Sequence, residues 1–157
     1  MTRHIEHHIA QLKDSILRFG TIVEESISLS NTALFKQDVV LAQKVMANDA
    51  EIDRIEVELE EECLKVLALY QPVAADLRFV VAVLKINNDL ERIGDLASNI
   101  AKTVSRLTTT GPFKLPQEIS IMAKQAEEMV KKSLDAVVKA DSNLARQVRD
   151  EDDVVDA

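Results

Sequence analysis

"FVVAVLKINNDLERIGDLASNIAKTVSRL" occupies residues 79–107, and its apolar positions decide the fold. Phe79, Val83, Ile86, Leu90, Ile93, Ala97, Ile100, Val104 and Leu107 alternate spacings of four and three. That is a heptad seam, the geometry of a left-handed helical bundle. It predicts a helix over about 74–108 with Phe79, Ile86, Ile93 and Ile100 in the core. The run Thr108-Thr109-Thr110-Gly111-Pro112 ends it.

Two helices precede this one. Ile5, Ile9, Leu12, Ile16, Phe19, Val23, Ile27 and Leu34 keep helical spacing over 5–35. Val45, Ile52, Ile55, Leu59 and Val66 do so over 39–69, after Asp38, a residue suited to capping free backbone N–H groups. Gln71-Pro72 breaks the chain before the third helix. Three long helices on short turns make an all-α, antiparallel three-helix bundle over residues 1–110.

The stretch after Pro116 repeats the opening at an offset of 103 residues. Comparing 12–53 with 115–156 gives 13 identities in 42 positions without a gap, among them Asp38 with Asp141, Leu41-Ala42 with Leu144-Ala145 and Val45 with Val148. Such a match marks a structural repeat. Residues 115–157 therefore read as an incomplete second bundle, with helices over 117–140 and 142–157. Ile119, Met122, Met129 and Val137 would then lack their third partner. The expectation is self-association as a two-fold dimer, or, for a fragment, a parent about 50–80 residues longer.

Composition narrows the function. The formal net charge is −8, which argues against duplex binding and against an anionic membrane surface. One cysteine, Cys63, forbids an internal disulfide and suits a reducing compartment. It reads as a small buried hydrophobe. No apolar run reaches the ~18 residues of a spanning helix, and the N-terminus lacks a signal-peptide pattern. A cytoplasmic protein without membrane insertion is expected.

One helix face stands out. Glu91 and Asp95 are like charges one turn apart, flanked by Asn88 and Asn99. The second helix carries Asp49 and Asp53 at the same spacing, with Glu56 and Glu60 beyond. Asp53 lies 19 residues before Pro72 and Glu91 lies 19 after; Asp49 and Asp95 lie 23 before and after. In an antiparallel hairpin equal counts mean equal height, so four carboxylates can share one patch. Two readings compete. One is a solvated acidic face, partly neutralised by Arg54, Arg78, Lys85 and Arg92. The other is a multivalent cation site, because clustered carboxylates repel until a countercharge arrives. Oxygen donors suit magnesium, calcium, manganese or iron, and Asn88 and Asn99 can add neutral oxygens.

These residues resemble a known family. "QPVAADLRFVVAVLKINNDLERIGDLASNIA" (71–101), "NDAEIDRIEVELEEECLKVLA" (48–68) and "LKDSILRFGTIVEESISLSNTALFKQD" (12–38) are similar, in order, to the helices of the PhoU family of phosphate-transport regulators. The resemblance implies two tandem three-helix bundles whose (E/D)xxxD motifs bind metal. The matching positions are Asp49/Asp53, Glu91/Asp95 with Asn99, and Asp152/Asp156 in the repeat. The implied cofactor is a divalent or trivalent ion: iron, manganese, magnesium or zinc. The implied function is non-enzymatic. It is negative regulation of phosphate uptake and of the starvation response, through contact with the ATPase subunit of the phosphate ABC transporter and a sensor histidine kinase. The sequence departs from the pattern in having no sixth helix with its own acidic motif.

The alternative is a carboxylate-bridged di-metal oxidase on a helical bundle. That class uses Glu-x-x-His on core-facing helices, and no Glu-x-x-His occurs here. Elsewhere, His4, His7 and His8 cluster at a terminus where helices fray. Tyr70 and Gln71 are expected to pack and cap at the hairpin. Glu24-Glu25 and Glu127-Glu128 are expected to be exposed faces. Asp76 near a helix start is explained by the helix dipole. No phosphate loop, nucleophile elbow or zinc set is present.

Overall fold

The computed structural model describes residues 2–157. It contains five α-helices, and no strand occurs among the described residues. They are α1 (Thr2–Lys36), α2 (Val39–Tyr70), α3 (Ala74–Thr108), α4 (Gln117–Lys139) and α5 (Ser142–Asp156). No helix among the described residues is long and apolar enough to cross a membrane.

Packing divides the chain into two compact units that cut the three long helices. One comprises Met1–Val23 and Ala47–Leu96, the other Glu24–Met46 and Ala97–Ala157. In the first unit α1 and α2 run antiparallel, with Tyr70 beside His8 and Ser15 beside Glu62. There α3 runs antiparallel to α2, with Gly94 against Ile52 and Asn87 against Glu56. The core holds Leu12, Ile16, Phe19, Val23, Ile52, Leu59, Cys63, Val66, Val80, Val83 and Leu90. In the second unit Ala33, Ala42, Val45, Ala101 and Val104 form a core of small side chains, with Leu29, Leu34, Leu41 and Met46 packed around it.

The buried line of α3 differs from the expected seam. Val80, Val83, Asn87, Leu90, Gly94, Ala97, Ala101 and Val104 are buried. Phe79, Ile86, Ile93 and Ile100 are only half-buried, on its flank. Half of the heptad, Val83-Leu90-Ala97-Val104, is as read; the other half moves by one residue, from the isoleucines to Val80, Asn87, Gly94 and Ala101. Apolar periodicity favours large side chains. The helices instead approach over Gly94, where a Cβ would stand 3.0 Å from Ile52 Cγ2, and through Asn87, whose Nδ2 donates to the Glu56 carbonyl oxygen at 2.8 Å. A buried polar group with one partner of this kind sets helix register.

The turns reproduce the sequence repeat in their conformation and in their main hydrogen bonds. Gln37 and Ala140 both adopt the left-handed conformation, at φ 52° and 49°. The amide of Asp38 donates to the Ala33 carbonyl at 3.0 Å, and that of Asp141 to the Ala136 carbonyl at 2.9 Å. The Asp38 carboxylate accepts from the Leu41 amide, and the Asp141 carboxylate from the Leu144 amide, each at 3.0 Å. Each aspartate thus satisfies a backbone donor left free at a helix start. Ala136 and Val148 are the buried residues of α4 and α5, and their counterparts Ala33 and Val45 are core residues of the first repeat. Side-chain volume and cap chemistry therefore recur at the same positions.

Within the second unit, the Lys132 ammonium meets Glu151 at 2.7 Å across α4 and α5. Glu127 does not lie on an exposed face as expected. It is half-buried and accepts from Nδ2 of buried Asn31 at 2.8 Å. Among the apolar residues of α4, Met122 and Ile121 are exposed, while Ile119, Met129 and Val137 are half-buried.

Candidate metal centre

Asp49, Asp53, Glu91 and Asp95 all lie in the first compact unit. The contacts of Ile52 with Gly94 and of Glu56 with Asn87 set α2 against α3 close to the register that equal counts from Pro72 predict. As a result Asp49, Asp53 and Asp95 offer carboxylate oxygens that all lie within 4.8 Å of one another. Glu91 joins them through a side-chain hydrogen bond with Asp95.

The electrostatics follow from that crowding. Glu91 is pushed from 4.5 up to about 7, first by its hydrogen bond with Asp95, then by partial burial and by the charges of Asp95, Asp53 and Glu56. Near neutral pH Glu91 therefore keeps its proton only part of the time, and in that form its carboxyl can donate to the Asp95 carboxylate. Glu56 is also raised, by burial and then by Glu60 and Asp53. The patch behaves as one charge-dense surface. A proton relieves its repulsion, and so would a cation.

The donor set fits a hard ion. Oxygens bind such ions at about 2.0–2.6 Å, so two on opposite sides of one ion stand about 4–5 Å apart. The trio spans that distance. Three carboxylates without thiolate or imidazole suit magnesium, calcium, manganese or iron. Asp49 and Asp53 come from one helix turn and Asp95 from the facing helix, so an ion held by all three would tie α2 to α3.

Other expected residues are placed differently. Asn99 is exposed, lies in the other compact unit and accepts at its carbonyl from Thr103. Asp152 and Asp156 are exposed on α5, and no third carboxylate gathers with them among the described residues. His8 pairs with the Tyr70 hydroxyl at 2.8 Å, its ring 4.8 Å from the tyrosine ring. The expected packing role of Tyr70 is thus met by a histidine from the terminal cluster. Cys63 is fully buried, and burial followed by the charges of Glu62 and Glu60 pushes its thiol up to about 11, which suits an inert core residue. Sequence reasoning missed Gly94 and Asn87, which shape the α2–α3 contact under the acids. The available signal was a glycine inside a helix that spacing alone made continuous.

A model of the PhoU domain matches residues 16–104 and 119–157. The chain belongs to the PhoU family. A PhoU homologue of Aquifex aeolicus, described as a phosphate-specific transport system accessory protein, is 38% identical over 148 residues, covering 94% of this chain and 67% of the relative. One from Synechocystis with the same description is 37% identical over 98% of this chain and 68% of its own length. The crystal structure of PhoU from Pseudomonas aeruginosa superposes with a TM-score of 0.93 at 34% identity, over 96% of this chain and 73% of that one. The PhoU regulatory protein of Streptococcus pneumoniae gives 0.89 at 28% identity, over 97% and 72%. The helical-bundle architecture is thus that of solved PhoU proteins. PhoU membership is carried by both repeats, since the matched segments fall in each.

Proposed function

We propose that this PhoU protein is a non-enzymatic negative regulator of phosphate uptake and of the phosphate-starvation response. It acts in the cytoplasm by contact with the ATPase subunit of the phosphate ABC transporter and with a phosphate-sensing histidine kinase. Its relatives' description as phosphate-specific transport system accessory proteins supports the transport side of this reading. Metal ions on the acidic helix faces, at Asp49, Asp53, Glu91 and Asp95, brace α2 against α3, and the chain works as a homodimer.

The observation that carries the metal part is the convergence of Asp49, Asp53 and Asp95 from two helices within 4.8 Å. A solvated acidic face would let those carboxylates spread. The trio includes no histidine, so nothing favours the di-metal oxidase alternative. The test is retrieval of the tagged protein from phosphate-rich and phosphate-starved cells. Retention of the transporter ATPase or the kinase that changes with phosphate supports the reading. Absence of both under both conditions sinks it.

A further inference from the structure

We propose that Gly94 is a positioning residue for the acidic centre. It is the spacer that sets how close α2 and α3 come, and so whether Asp95 reaches Asp49 and Asp53. The inference rests on the metal reading above and concerns residues that hold no ligand themselves.

Gly94 is buried in the middle of α3, immediately before Asp95. Glycine in a helix interior costs roughly 1 kcal/mol relative to alanine. The chain has three glycines. Gly111 stands in a turn at φ 105°, where the backbone itself requires it. Gly94 has no such backbone need, so its reason is spatial. A Cβ there would meet Ile52 Cγ2 at 3.0 Å and Cδ1 at 3.2 Å, well inside ordinary carbon contact distance. Ile52 is buried and immediately precedes Asp53. Gly94 and Ile52, which would clash if Gly94 carried a Cβ, are therefore the sequence neighbours of two of the three converging aspartates.

Asn87 acts with this contact. One heptad before Gly94, it bonds the Glu56 carbonyl and fixes the slide of α3 along α2. Gly94 fixes the separation. Ligand oxygens must sit within a few tenths of an ångström of their positions around an ion, the same scale as the shift a methyl group at Gly94 would force.

The test measures manganese(II) binding by calorimetry on the metal-stripped full chain, beside thermal unfolding. Wild type should bind, and G94A should bind about tenfold more weakly, the usual scale for a group that orients ligands without touching the ion. The compensating variant I52A removes both clashing methyl groups. G94A/I52A should recover wild-type affinity to within about threefold while its melting temperature falls further, because a core side chain is lost. A merely structural role predicts the reverse, with affinity falling alongside stability. Equal affinity in wild type and G94A, or no recovery in the double variant, overturns the spacer role. Should G94A/I52A not fold, G94A/I52L, which removes the Cγ2 methyl at 3.0 Å while keeping the core volume, is read by the same rule, partial recovery supporting the role and none overturning it. A wild type that binds no manganese(II) overturns the metal reading, and the spacer role with it. A wild type that binds beside an unaffected G94A removes the spacer role alone.

Discussion

Nδ2 of Asn31 on α1 donates to Oε1 of Glu127 on α4 across 2.8 Å, and Asn31 is 7% exposed. A buried amide thus meets a half-buried carboxylate from the second repeat. Removing the amide leaves the acid without that donor, and hydrogen bonds to charged groups are worth about 1.5–3 kcal/mol. Asn31→Ala should destabilise by about that much in denaturant unfolding, and N31A/E127A by less than the sum of the single changes. Additive single effects would show that the pair is not coupled.

Asp38 and Asp141 predict a matched pair of local losses. Asp38→Ala should expose the Leu41 amide to hydrogen exchange, and Asp141→Ala the Asn143 and Leu144 amides, because those carboxylates accept from them. Each change should cost about 1 kcal/mol of stability. Unchanged protection in the first turn of α5 would refute the cap at Asp141.

The proton held near Glu91 sets a pH dependence. Its value lies near 7 in the folded chain against 4.5 ordinarily. Between those values the folded chain keeps a proton that the unfolded chain has lost, so this group's contribution to stability falls as pH rises through the window. Glu91→Gln mimics the protonated form and removes that slope. In metal-free protein, E91Q should therefore gain stability relative to wild type between about pH 5 and about pH 8. A constant difference across that range would mean that Glu91 titrates as an ordinary acid.

Metal binding should oppose that proton. A cation on the acids needs them ionised, so manganese(II) affinity should rise as pH passes through about 7. Affinity that is flat across this range would place the ion elsewhere.

The individual acids separate by geometry. Asp53→Asn and Asp95→Asn each leave the trio one carboxylate short and should lower metal content by elemental analysis. D152A/D156A should leave the content of this chain unchanged, because no third carboxylate joins those two among the described residues. Loss of metal in D152A/D156A would locate a site on α5.

The sequence by itself determined the helices, the repeat and the height of the acids. Periodicity and breakers placed α3 at 74–108, as found, and the other boundaries within a few residues. These features are local: a proline, an aspartate cap and a spacing of three and four act within one or two turns of chain. The gapless offset of 103 residues reappears as matched caps and matched left-handed turns for the same reason.

Tertiary structure alone decided which line of α3 faces inward. Phe79, Ile86, Ile93 and Ile100 were the larger hydrophobes, yet Asn87, Gly94 and Ala101 took the buried positions beside them. A seam is chosen by how closely two helices can approach, which depends on the partner surface as much as on hydrophobicity. Ile52 fills the notch at Gly94, and the Glu56 carbonyl accepts from Asn87 Nδ2. That one-residue shift toward small and polar residues brings Glu91 and Asp95 to the edge of the α2–α3 contact. Equal height was legible in residue counts. Rotation was not, because the angle of a helix about its axis is fixed only by the neighbour it packs against.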